Sequence, residues 1–496
     1  MGARTGSEYL ERLAQHSPEV WIGSERIEDV TAHPATASAA REIARLYDLQ
    51  TDPAHRDTML FESPATGEPV GMQFLVPTSR EDIGRRRRAH KLWADATLGL
   101  MGRTTDFIGA MLTAWNINAD FFGPEGAERV RAYFEHVRDN DLFVTHALAD
   151  PPVDRSKPPS QQPHPFTYLG VQRETEAGLI VSGAKMLATA APYADELLVW
   201  PFSLRRYEAD DNRYAIAFAI PADSDGLRFI SREAFGGGNR FDHPLSSRFD
   251  EMDAVVVFDE VLVPWDRVFI NQDYERVNSI WQINSNAFTG LQTSIRLLSK
   301  LQFAAGLAKR ATEMVKTDQF PQVRDMMGEI TTYVELTKAA VDSAQASAEP
   351  NEDGIYFPAV APVFAIRNSG NRWYPRVREI LQLILAGGLL YQPAEVTAFD
   401  SPISGDLAKF YRGSDVEAER RISIYKVAAD LAVSSFGGRH ELYERFYAGD
   451  PMFLRINTQC LMYDWEEPLK LIDDLMASYD ARSVLESVKV DQETLA

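Results

Sequence analysis

The sequence is poor in cysteine, since Cys460 is the single thiol among 496 residues. One thiol excludes an intrachain disulfide, a zinc site built on several thiolates and an iron–sulfur cluster held by this chain alone. The nine histidines are scattered, with no HxxxH or HxH pair, so a histidine-rich metal site has no local support. We therefore expect no bound metal ion.

Long apolar runs and net positive charge are also missing. No stretch of about 18 apolar residues could span a bilayer, and residues 1–5 lack the apolar core of a signal peptide. The formal net charge is −21, which argues against binding to nucleic acid or to an anionic membrane. We expect a cytoplasmic protein. The basic run at residues 85–88 is a local exception, which we interpret as a solvated or intersubunit helix face.

Several well-known catalytic and cofactor motifs are absent. No GxGxxG follows a strand and there is no P-loop, so a nicotinamide-binding Rossmann domain is not expected. The absence of GxSxG removes the signal for an α/β-hydrolase. If the chain carries out redox chemistry, its reducing equivalents must therefore arrive from elsewhere.

The hydrophobic periodicity changes twice along the chain. Residues 1–148 are predicted to be mostly helical, with a break where Gly99, Gly102 and Gly109 interrupt one stretch. Residues 149–275 begin with a proline-rich loop and continue with period-two patterns, as in Tyr214, Ile216, Phe218 and Ile220, which predict a sandwich or barrel of six to eight strands.

Helical spacing returns in residues 276–496. Apolar residues step by three and four from Leu291 through Ile295 to Leu298, as expected for a helix of a bundle. The sequence therefore predicts a mainly α protein with a central β-domain, in the order helices, β-domain, helical bundle.

Three segments are rich in polar groups at places that the apolar pattern would bury. They contain Arg103 between glycine and threonine, His146 after an apolar run with Asp154-Arg155-Ser156 beyond it, and residues 434–445. Each has an ordinary structural interpretation: a salt-bridge arginine, a satisfied core histidine, and a helix cap or turn. From the residues alone, structural and catalytic roles both stay open.

Together with other segments, these residues resemble the oxygenase component of the 4-hydroxyphenylacetate 3-monooxygenase family. The resemblance runs in order over roughly residues 5–475 and is carried by residues 92–107 with their Gly-Leu-Met-Gly-Arg core, 145–146, 152–156, 241–251, 259–269 and 441–451. It implies an acyl-CoA dehydrogenase-like fold: an N-terminal helical domain, a middle β-barrel or sandwich and a C-terminal four-helix bundle. It also implies a homotetramer, a dimer of dimers, which receives reduced FAD from a separate NAD(P)H:flavin reductase.

The resemblance further implies a reaction. Reduced FAD and O2 form a flavin hydroperoxide that hydroxylates a phenol ortho to its hydroxyl group, in a pocket that excludes water. The family's arginine and histidine, which hold the phenol oxygen, correspond to Arg103 and His146, the expected catalytic residues. Substrate contacts are also expected from Phe107, Phe202 and Ser203.

The expected FAD contacts come from three places. They are the loop of Pro152, Val153, Asp154 and Arg155, the strand end at Thr189, and the bundle segment of Ser434, Ser435, Phe436, Gly437, Gly438 and Arg439. Backbone N–H groups and Arg155 suit the pyrophosphate, and Thr189 can hydrogen-bond the flavin ring.

One departure from the family pattern bears on the substrate. Several members that use 4-hydroxyphenylacetate have a tyrosine where this chain has Phe107, so the pocket lacks one hydroxyl group. A 4-hydroxyphenylacetate-like phenol, a chlorophenol, or a tyrosine-derived phenol, free or tethered to a carrier protein, would all suit the family. The alternatives are an acyl-CoA dehydrogenase-like flavoprotein, which needs a carboxylate base in the bundle, and a non-catalytic scaffold. Glu335 and Glu379 lie in helical stretches, and we interpret them as surface residues rather than as that base. A related radical dehydratase is disfavoured because it needs several cysteines.

Overall fold

Helices lie before and after a central β-region in the computed structural model, which describes residues 2–201, 206–447 and 449–494. The chain divides into two compact units, Met1–Ala448 and Gly449–Ala496. The helices of the first unit are α1 (Gly6–Gln15), α2 (Ala37–Thr51), α3 (Arg56–Met59), α4 (Arg80–Ala96), α5 (Thr105–Ile117), α6 (Gly123–Asp139), α7 (Ser246–Phe249), α8 (Tyr274–Ser279), α9 (Ser285–Met314), α10 (Pro321–Ala346), α11 (Val360–Leu385), α12 (Ser404–Phe410), α13 (Ala418–Ala432) and α14 (Ser435–Phe446). The second unit contains α15 (Pro451–Leu454), α16 (Glu466–Ala477) and α17 (Ala481–Thr494).

The strands form two larger sheets and two short hairpin-like pairs. They are β1 (Val20–Ile22), β2 (Glu25–Ile27), β3 (Leu60–Glu62), β4 (Pro69–Gly71), β5 (Val144–Ala147), β6 (Gly170–Glu174), β7 (Gly178–Thr189), β8 (Glu196–Val199), β9 (Ala217–Pro221), β10 (Leu227–Ser231), β11 (Asp253–Pro264), β12 (Val268–Ile270), β13 (Glu349–Pro350) and β14 (Tyr356–Phe357). One sheet has the order β2-β1-β10-β11-β7-β6 and the other β12-β9-β8-β5. Strands β1, β2 and β5 thus come from the N-terminal part of the chain.

The long antiparallel pair of β7 and β11 is the centre of the six-stranded sheet. Two register shifts mark β-bulges that bend the sheet: one in β7, opposite Ala254 and Val256, and one in β11, between Phe258 and Val261. Val256 and Phe258 are buried, and they share one core with residues of α1, α2 and the helical bundle.

The predicted strand pattern was partly wrong around Tyr214. Strand β9 begins only at Ala217, because residues Ala209–Tyr214 form a 3₁₀ turn in which the Ala215 amide donates to the Asn212 carbonyl. Tyr214 is buried, so the alternation of apolar residues continued through a segment that is not extended. The apolar runs at 179–181 and 255–258 lie in strands β7 and β11, and the run at 197–200 is a strand only as far as Val199, where β8 ends.

The predicted helical break near Gly99 is confirmed. Helix α4 ends at Ala96 and α5 begins at Thr105. Gly99 has a φ of +68°, and a Cβ there would lie 2.5 Å from the Arg296 carbonyl oxygen, so the backbones of the connecting loop and α9 approach closely. This close approach fixes the loop that carries Arg103.

Helices α9, α10, α11 and α13 form the C-terminal bundle, with α14 packed against α11 and α13. Leu291, Ile295 and Leu298 are buried in the bundle, as their spacing predicts. The predicted fold class, mainly α with a central β-region and a C-terminal bundle, is confirmed. In the ranges that the structure describes, no helix has the length and apolar character needed to cross a membrane.

The interpretation of residues 85–88 as a solvated or intersubunit face was wrong for Arg86. Arg85, Arg87 and Arg88 form ion pairs near the surface, whereas Arg86 is 1% exposed and donates to the Leu75 carbonyl oxygen at 2.6 Å. Burial lowers the pKa of Arg86 to about 9. Successive helix residues are about 100° apart, so four in a row must place one side chain inward.

Helix α14 begins in close contact with the end of α13, and this contact gives a test of the packing. Ser434 caps α14 by accepting the Gly437 amide at 3.0 Å, and a Cβ on Gly437 would lie 2.2 Å from the Leu431 carbonyl oxygen. We expect Gly437→Ala to lower the free energy of unfolding by about 1–3 kcal/mol. Gly438→Ala is the matched control, because its Cβ would come no closer than 3.9 Å to another group and alanine favours the helix. Equal stability of the two variants in denaturant unfolding would contradict this packing.

Candidate active site

Arg103, Phe107 and His146 lie together although they come from different elements. Arg103 ends the loop between α4 and α5, Phe107 is in the first turns of α5, and His146 is on β5. The Arg103 guanidinium lies 4.1 Å from the Phe107 ring centroid, and the Phe107 and His146 rings contact edge-on at 5.7 Å. All three side chains are buried, so residues that are distant in the sequence form one cluster.

The loop is fixed by α5 and by the bundle. At the start of α5, the Asp106 carboxylate accepts from Thr104 at 2.6 Å, from Gln292 at 3.1 Å and from the His90 ring at 2.9 Å. Although burial acts to raise it, the hydrogen bonds hold the pKa of Asp106 below its usual range. On the bundle side, Arg296 donates to the Gly99 carbonyl oxygen at 2.9 Å.

The Arg103 guanidinium is oriented by the C-terminal end of α14. Its Nη1 donates to the Tyr443 hydroxyl at 3.0 Å and its Nη2 to the Tyr447 carbonyl oxygen at 3.2 Å. The Tyr447 ring lies 4.7 Å from the guanidinium carbon. Among the described residues the buried Arg103 Nε has no hydrogen-bond partner, which leaves one cationic N–H available to a ligand.

His146 has an apolar, aromatic environment. Besides Phe107, its ring contacts Trp200 edge-on at 6.0 Å. Burial, together with the nearby Arg103 charge, lowers the pKa of His146 well below its usual value, so the imidazole is neutral near pH 7. Its buried Nδ1 makes no hydrogen bond within the part of the chain that the structure describes. A neutral imidazole beside a cationic N–H suits a hydroxyl that is becoming an oxyanion.

Glu251 and Asp253, which we call the acidic turn, hold the loop and the strand end at Thr189 in place. Glu251 Oε1 accepts the Gly102 and Arg103 amides, and Glu251 Oε2 accepts Arg439 Nη1 at 3.0 Å. Asp253 accepts the Thr189 hydroxyl at 2.7 Å and two Arg439 nitrogens at 2.8 and 3.0 Å. Arg439 therefore joins the two carboxylates.

A second buried charge cluster lies between α9 and α14. Glu444 accepts two Arg296 nitrogens at 2.7 and 2.8 Å and Lys300 Nζ at 2.7 Å. Although burial acts to raise it, the two cations lower the pKa of Glu444 to about 2. Burial lowers the pKa of Lys300 to about 8, and its Nζ lies 3.1 Å from His440 Nδ1. This cluster fixes α14 against α9, and α14 carries Tyr443.

The residues expected to contact FAD lie at the end of β7, in the loop after β5 and at the start of α14. Thr189 ends β7, and its carbonyl oxygen accepts the Thr145 hydroxyl at 2.7 Å, one residue before His146. In the loop after β5, Pro152, Val153 and Arg155 are exposed, and the Asp154 side chain accepts from Ser156 at 2.6 Å.

The bundle segment at the start of α14 contains both exposed and buried residues. Ser435 is exposed, whereas the Phe436 ring is buried against His440 at 4.3 Å. Ser434 caps the helix, and Gly437 packs on α13 as described above. All three Arg439 side-chain nitrogens donate to Glu251 and Asp253, so this arginine is committed to the acidic turn.

Some residues named from the sequence lie outside the described ranges or on the surface, and some residues that support the site were not named. Phe202 and Ser203 lie outside the residues that the structure describes. Glu335 and Glu379, the carboxylates that an acyl-CoA dehydrogenase-like activity could have used, are exposed, and Glu379 pairs with Arg376 at 2.8 Å. Glu251, Asp253 and Tyr443 were not singled out from the sequence. The 434–445 motif contains Tyr443, but its contact with Arg103 joins residues 340 positions apart.

Comparison with known proteins identifies the family. The family pattern described as 4-hydroxyphenylacetate 3-hydroxylase N terminal matches residues 5–270, and the corresponding C-terminal pattern matches residues 277–477. The chain belongs to this family. The predicted activity class, an FAD-dependent aromatic monooxygenase, is therefore confirmed.

Similar proteins agree along almost the whole chain. The 4-hydroxyphenylacetate 3-monooxygenase oxygenase component of Thermus thermophilus is 43% identical over 91% of this chain and 92% of its own. A Streptomyces globisporus monooxygenase of (3S)-3-amino-3-(3-chloro-4-hydroxyphenyl)propanoyl-[peptidyl-carrier protein] is 36% identical over 91% of this chain and 86% of its own. A crystal structure of a 4-hydroxyphenylacetate 3-monooxygenase oxygenase component with FAD and 4-hydroxyphenylacetate has a TM-score of 0.92 and 41% identity, covering 98% of this chain and 100% of that one.

The Glu444 cluster predicts a pH-dependent stability. We expect Glu444→Gln to cost about 3–5 kcal/mol of unfolding free energy at pH 7, because it leaves Arg296 and Lys300 buried without their anion. The folded-state pKa of Glu444, about 2, is depressed from 4.5, so its contribution is complete above pH 4.5 and is lost as the pH falls toward 2. The gap between wild type and variant should narrow from pH 5 to pH 3.

Denaturant unfolding at several pH values measures this gap. Glu335→Gln is the matched control, because its carboxylate is exposed and its loss should change the stability little at every pH. A gap between wild type and Glu444→Gln that stays constant down to pH 3 would show that Glu444 is not the ionised partner of the two cations.

Proposed function

We propose that this chain hydroxylates a phenol at the carbon ortho to its hydroxyl group, with Arg103 and His146 holding the phenol oxygen. The observation that carries this assignment is the pair of buried nitrogens, Arg103 Nε and His146 Nδ1, that have no hydrogen-bond partner among the described residues. Both residues contact the Phe107 ring, and the Arg103 charge acts on the pKa of His146, which supports a shared role for the two side chains.

The two residues have different tasks. Neutral His146 can accept the hydrogen of the phenol hydroxyl, and the Arg103 charge stabilises the negative charge that builds on that oxygen. A phenol oxygen close to phenolate makes the ortho carbon more electron-rich and easier to hydroxylate. Phe107 and Trp200 keep water from this side of the pocket because their rings are apolar and buried.

The residues present fit FAD. Helix α14 offers its N-terminus and the exposed Ser435 to an anionic group, and the Thr189 hydroxyl lies next to the strand of His146. We propose that Thr189 hydrogen-bonds the flavin ring and that Ser434, Ser435, Gly438 and the 152–155 loop contact the rest of the cofactor. When bound in reduced form, FAD supplies the two electrons that activate O2. Arg439 affects the cofactor indirectly, because it binds Asp253, which in turn binds Thr189.

The substrate is a phenol with a para substituent. The relatives act on 4-hydroxyphenylacetate and on a carrier-bound chlorinated hydroxyphenyl group, so the family accepts both free and tethered phenols. Phe107 offers no hydroxyl group to the ligand, and we infer that Arg103 and His146 make the polar contacts to the phenol oxygen. A 4-hydroxyphenylacetate-like acid, a chlorophenol and a tyrosine-derived phenol are the candidates to assay.

Two protein partners are proposed. Because the relative is an oxygenase component and no dinucleotide motif occurs in this sequence, a separate NAD(P)H:flavin reductase supplies the reduced FAD. We also propose a homotetramer, supported by apolar side chains of α16 that are exposed in the single chain: Leu469, Leu471, Ile472, Leu475 and Met476. Light scattering should give four times the 55.6 kDa chain mass, and a monomer at all concentrations would contradict this assembly.

Replacement of His146 tests the catalytic assignment. With reduced FAD, O2 and a panel of para-substituted phenols, we expect His146→Ala to lower catechol formation by about 100-fold or more while oxygen is still consumed and released as hydrogen peroxide. His16→Ala is the matched control, since His16 pairs with Asp223 at the surface. Both the catechol and the peroxide are quantified for every phenol.

The outcomes separate the candidate functions. Unchanged hydroxylation by His146→Ala would remove His146 from the mechanism. Oxygen consumption by the wild-type chain that equals the buffer control for every phenol and for a carrier-tethered phenol would favour the non-catalytic scaffold.

A further inference from the structure

The hydrogen-bond direction at Thr189 follows from its partner. The Thr189 hydroxyl has one hydrogen, and it lies 2.7 Å from Asp253 Oδ1. A carboxylate that is ionised has no hydrogen to give, so in this pair Thr189 must be the donor. The free lone pairs of the Thr189 oxygen can then only accept a hydrogen bond from a ligand.

Asp253 is kept ionised by two arginines. Arg439 donates to both of its oxygens at 2.8 and 3.0 Å, and Arg232 donates to Oδ2 at 2.8 Å. Although burial acts to raise it, these contacts hold the pKa of Asp253 well below its usual range. Asp253 is therefore a hydrogen-bond acceptor near neutral pH.

The position of Thr189 decides which part of the flavin ring it faces. The Thr145 hydroxyl binds the Thr189 carbonyl oxygen, which places Thr189 beside the strand of His146. A flavin bound here would turn its reactive edge toward the phenol that we propose His146 holds, and N5 is the nitrogen at that edge. N5 carries a hydrogen in the reduced ring and a bare lone pair in the oxidised ring.

We propose that Asp253, by taking the only hydroxyl hydrogen of Thr189, makes Thr189 a hydrogen-bond acceptor that selects reduced over oxidised FAD. This inference rests on the proposed contact between Thr189 and the flavin. Reduced FAD offers its N5–H to the Thr189 oxygen. In oxidised FAD the N5 lone pair would face a lone pair of the Thr189 oxygen, and the two would repel each other. Asp253 is therefore a positioning residue that acts through Thr189. The selection lets the oxygenase retain reduced FAD and release the oxidised cofactor.

The test measures the dissociation constants of oxidised FAD and, without oxygen, of reduced FAD on the full-length protein. In Asp253→Asn the side-chain amide can donate to Thr189, whose hydrogen then becomes free to bind the oxidised N5. We expect the preference for reduced FAD to fall about tenfold, which is the effect of one modest hydrogen bond. Simple loss of a negative charge would raise the preference for reduced FAD, because the reduced flavin ring carries a negative charge that the oxidised ring lacks.

Two further variants isolate the path through the hydroxyl. Asp250→Asn removes a carboxylate that also binds Arg232, at Nη2, but does not touch Thr189, so it should leave the preference unchanged or raise it. In a Thr189→Val background, Asp253→Asn should change the ratio of the two dissociation constants less than twofold. Asp253→Asn effects that are the same in both backgrounds, or equal for both redox forms, would overturn the inference.

Thr189 variants distinguish failure of this inference from failure of the proposed contact. Thr189→Val that leaves both dissociation constants unchanged would remove the contact itself and the inference with it. A different pair of results would overturn only the role of Asp253. In that case Thr189→Val weakens FAD binding, but Asp253→Asn leaves the ratio of the dissociation constants of oxidised and reduced FAD as it is in the wild type. If Asp253→Asn does not fold, Thr189→Ser should keep the preference and Thr189→Val should lose it. A preference that survives in Thr189→Val would overturn the inference.

Discussion

The paired carboxylates of the acidic turn are the constraint on which the site depends. Glu251 holds the amides of the loop that presents Arg103, and Asp253 holds the hydroxyl of Thr189. Arg439 bridges the two carboxylates from α14. The β-region and the bundle are thereby joined at the point where the phenol oxygen and the flavin ring are proposed to meet.

Such a buried ionic network is expensive to form and sensitive to the loss of any member. Each ion loses its hydration, and only complete pairing offsets that cost. Asp253 and Glu444 are fully paired, whereas Arg103 contacts the neutral Tyr443 hydroxyl and a carbonyl oxygen. The arginine nearest the proposed substrate thus keeps its charge available for a ligand oxyanion, while the arginines behind it are neutralised.

The order of elements could be predicted from periodicity because long amphipathic helices and alternating strands leave strong patterns. Arg103 and His146 were found through the family resemblance, since a single arginine or histidine has no distinctive spacing. Glu251 and Asp253 could not be predicted, because their partners lie 21 to 188 positions away and no local pattern records such pairing. Arg86 shows the same limit: a run of charges does not reveal which of them turns inward.

The acidic turn and Phe107 make separate contacts, and this separation is consistent with a family that accepts different phenols. The acidic turn contacts backbone amides, Thr189 and arginines, and none of these contacts involves the Phe107 side chain. Phe107 faces His146 and Arg103 from α5, so a residue with or without a hydroxyl group there alters the ligand's surroundings directly. A substitution at this position can therefore change which phenol is bound, while the groups that we propose hold the phenol oxygen and the flavin keep their supports.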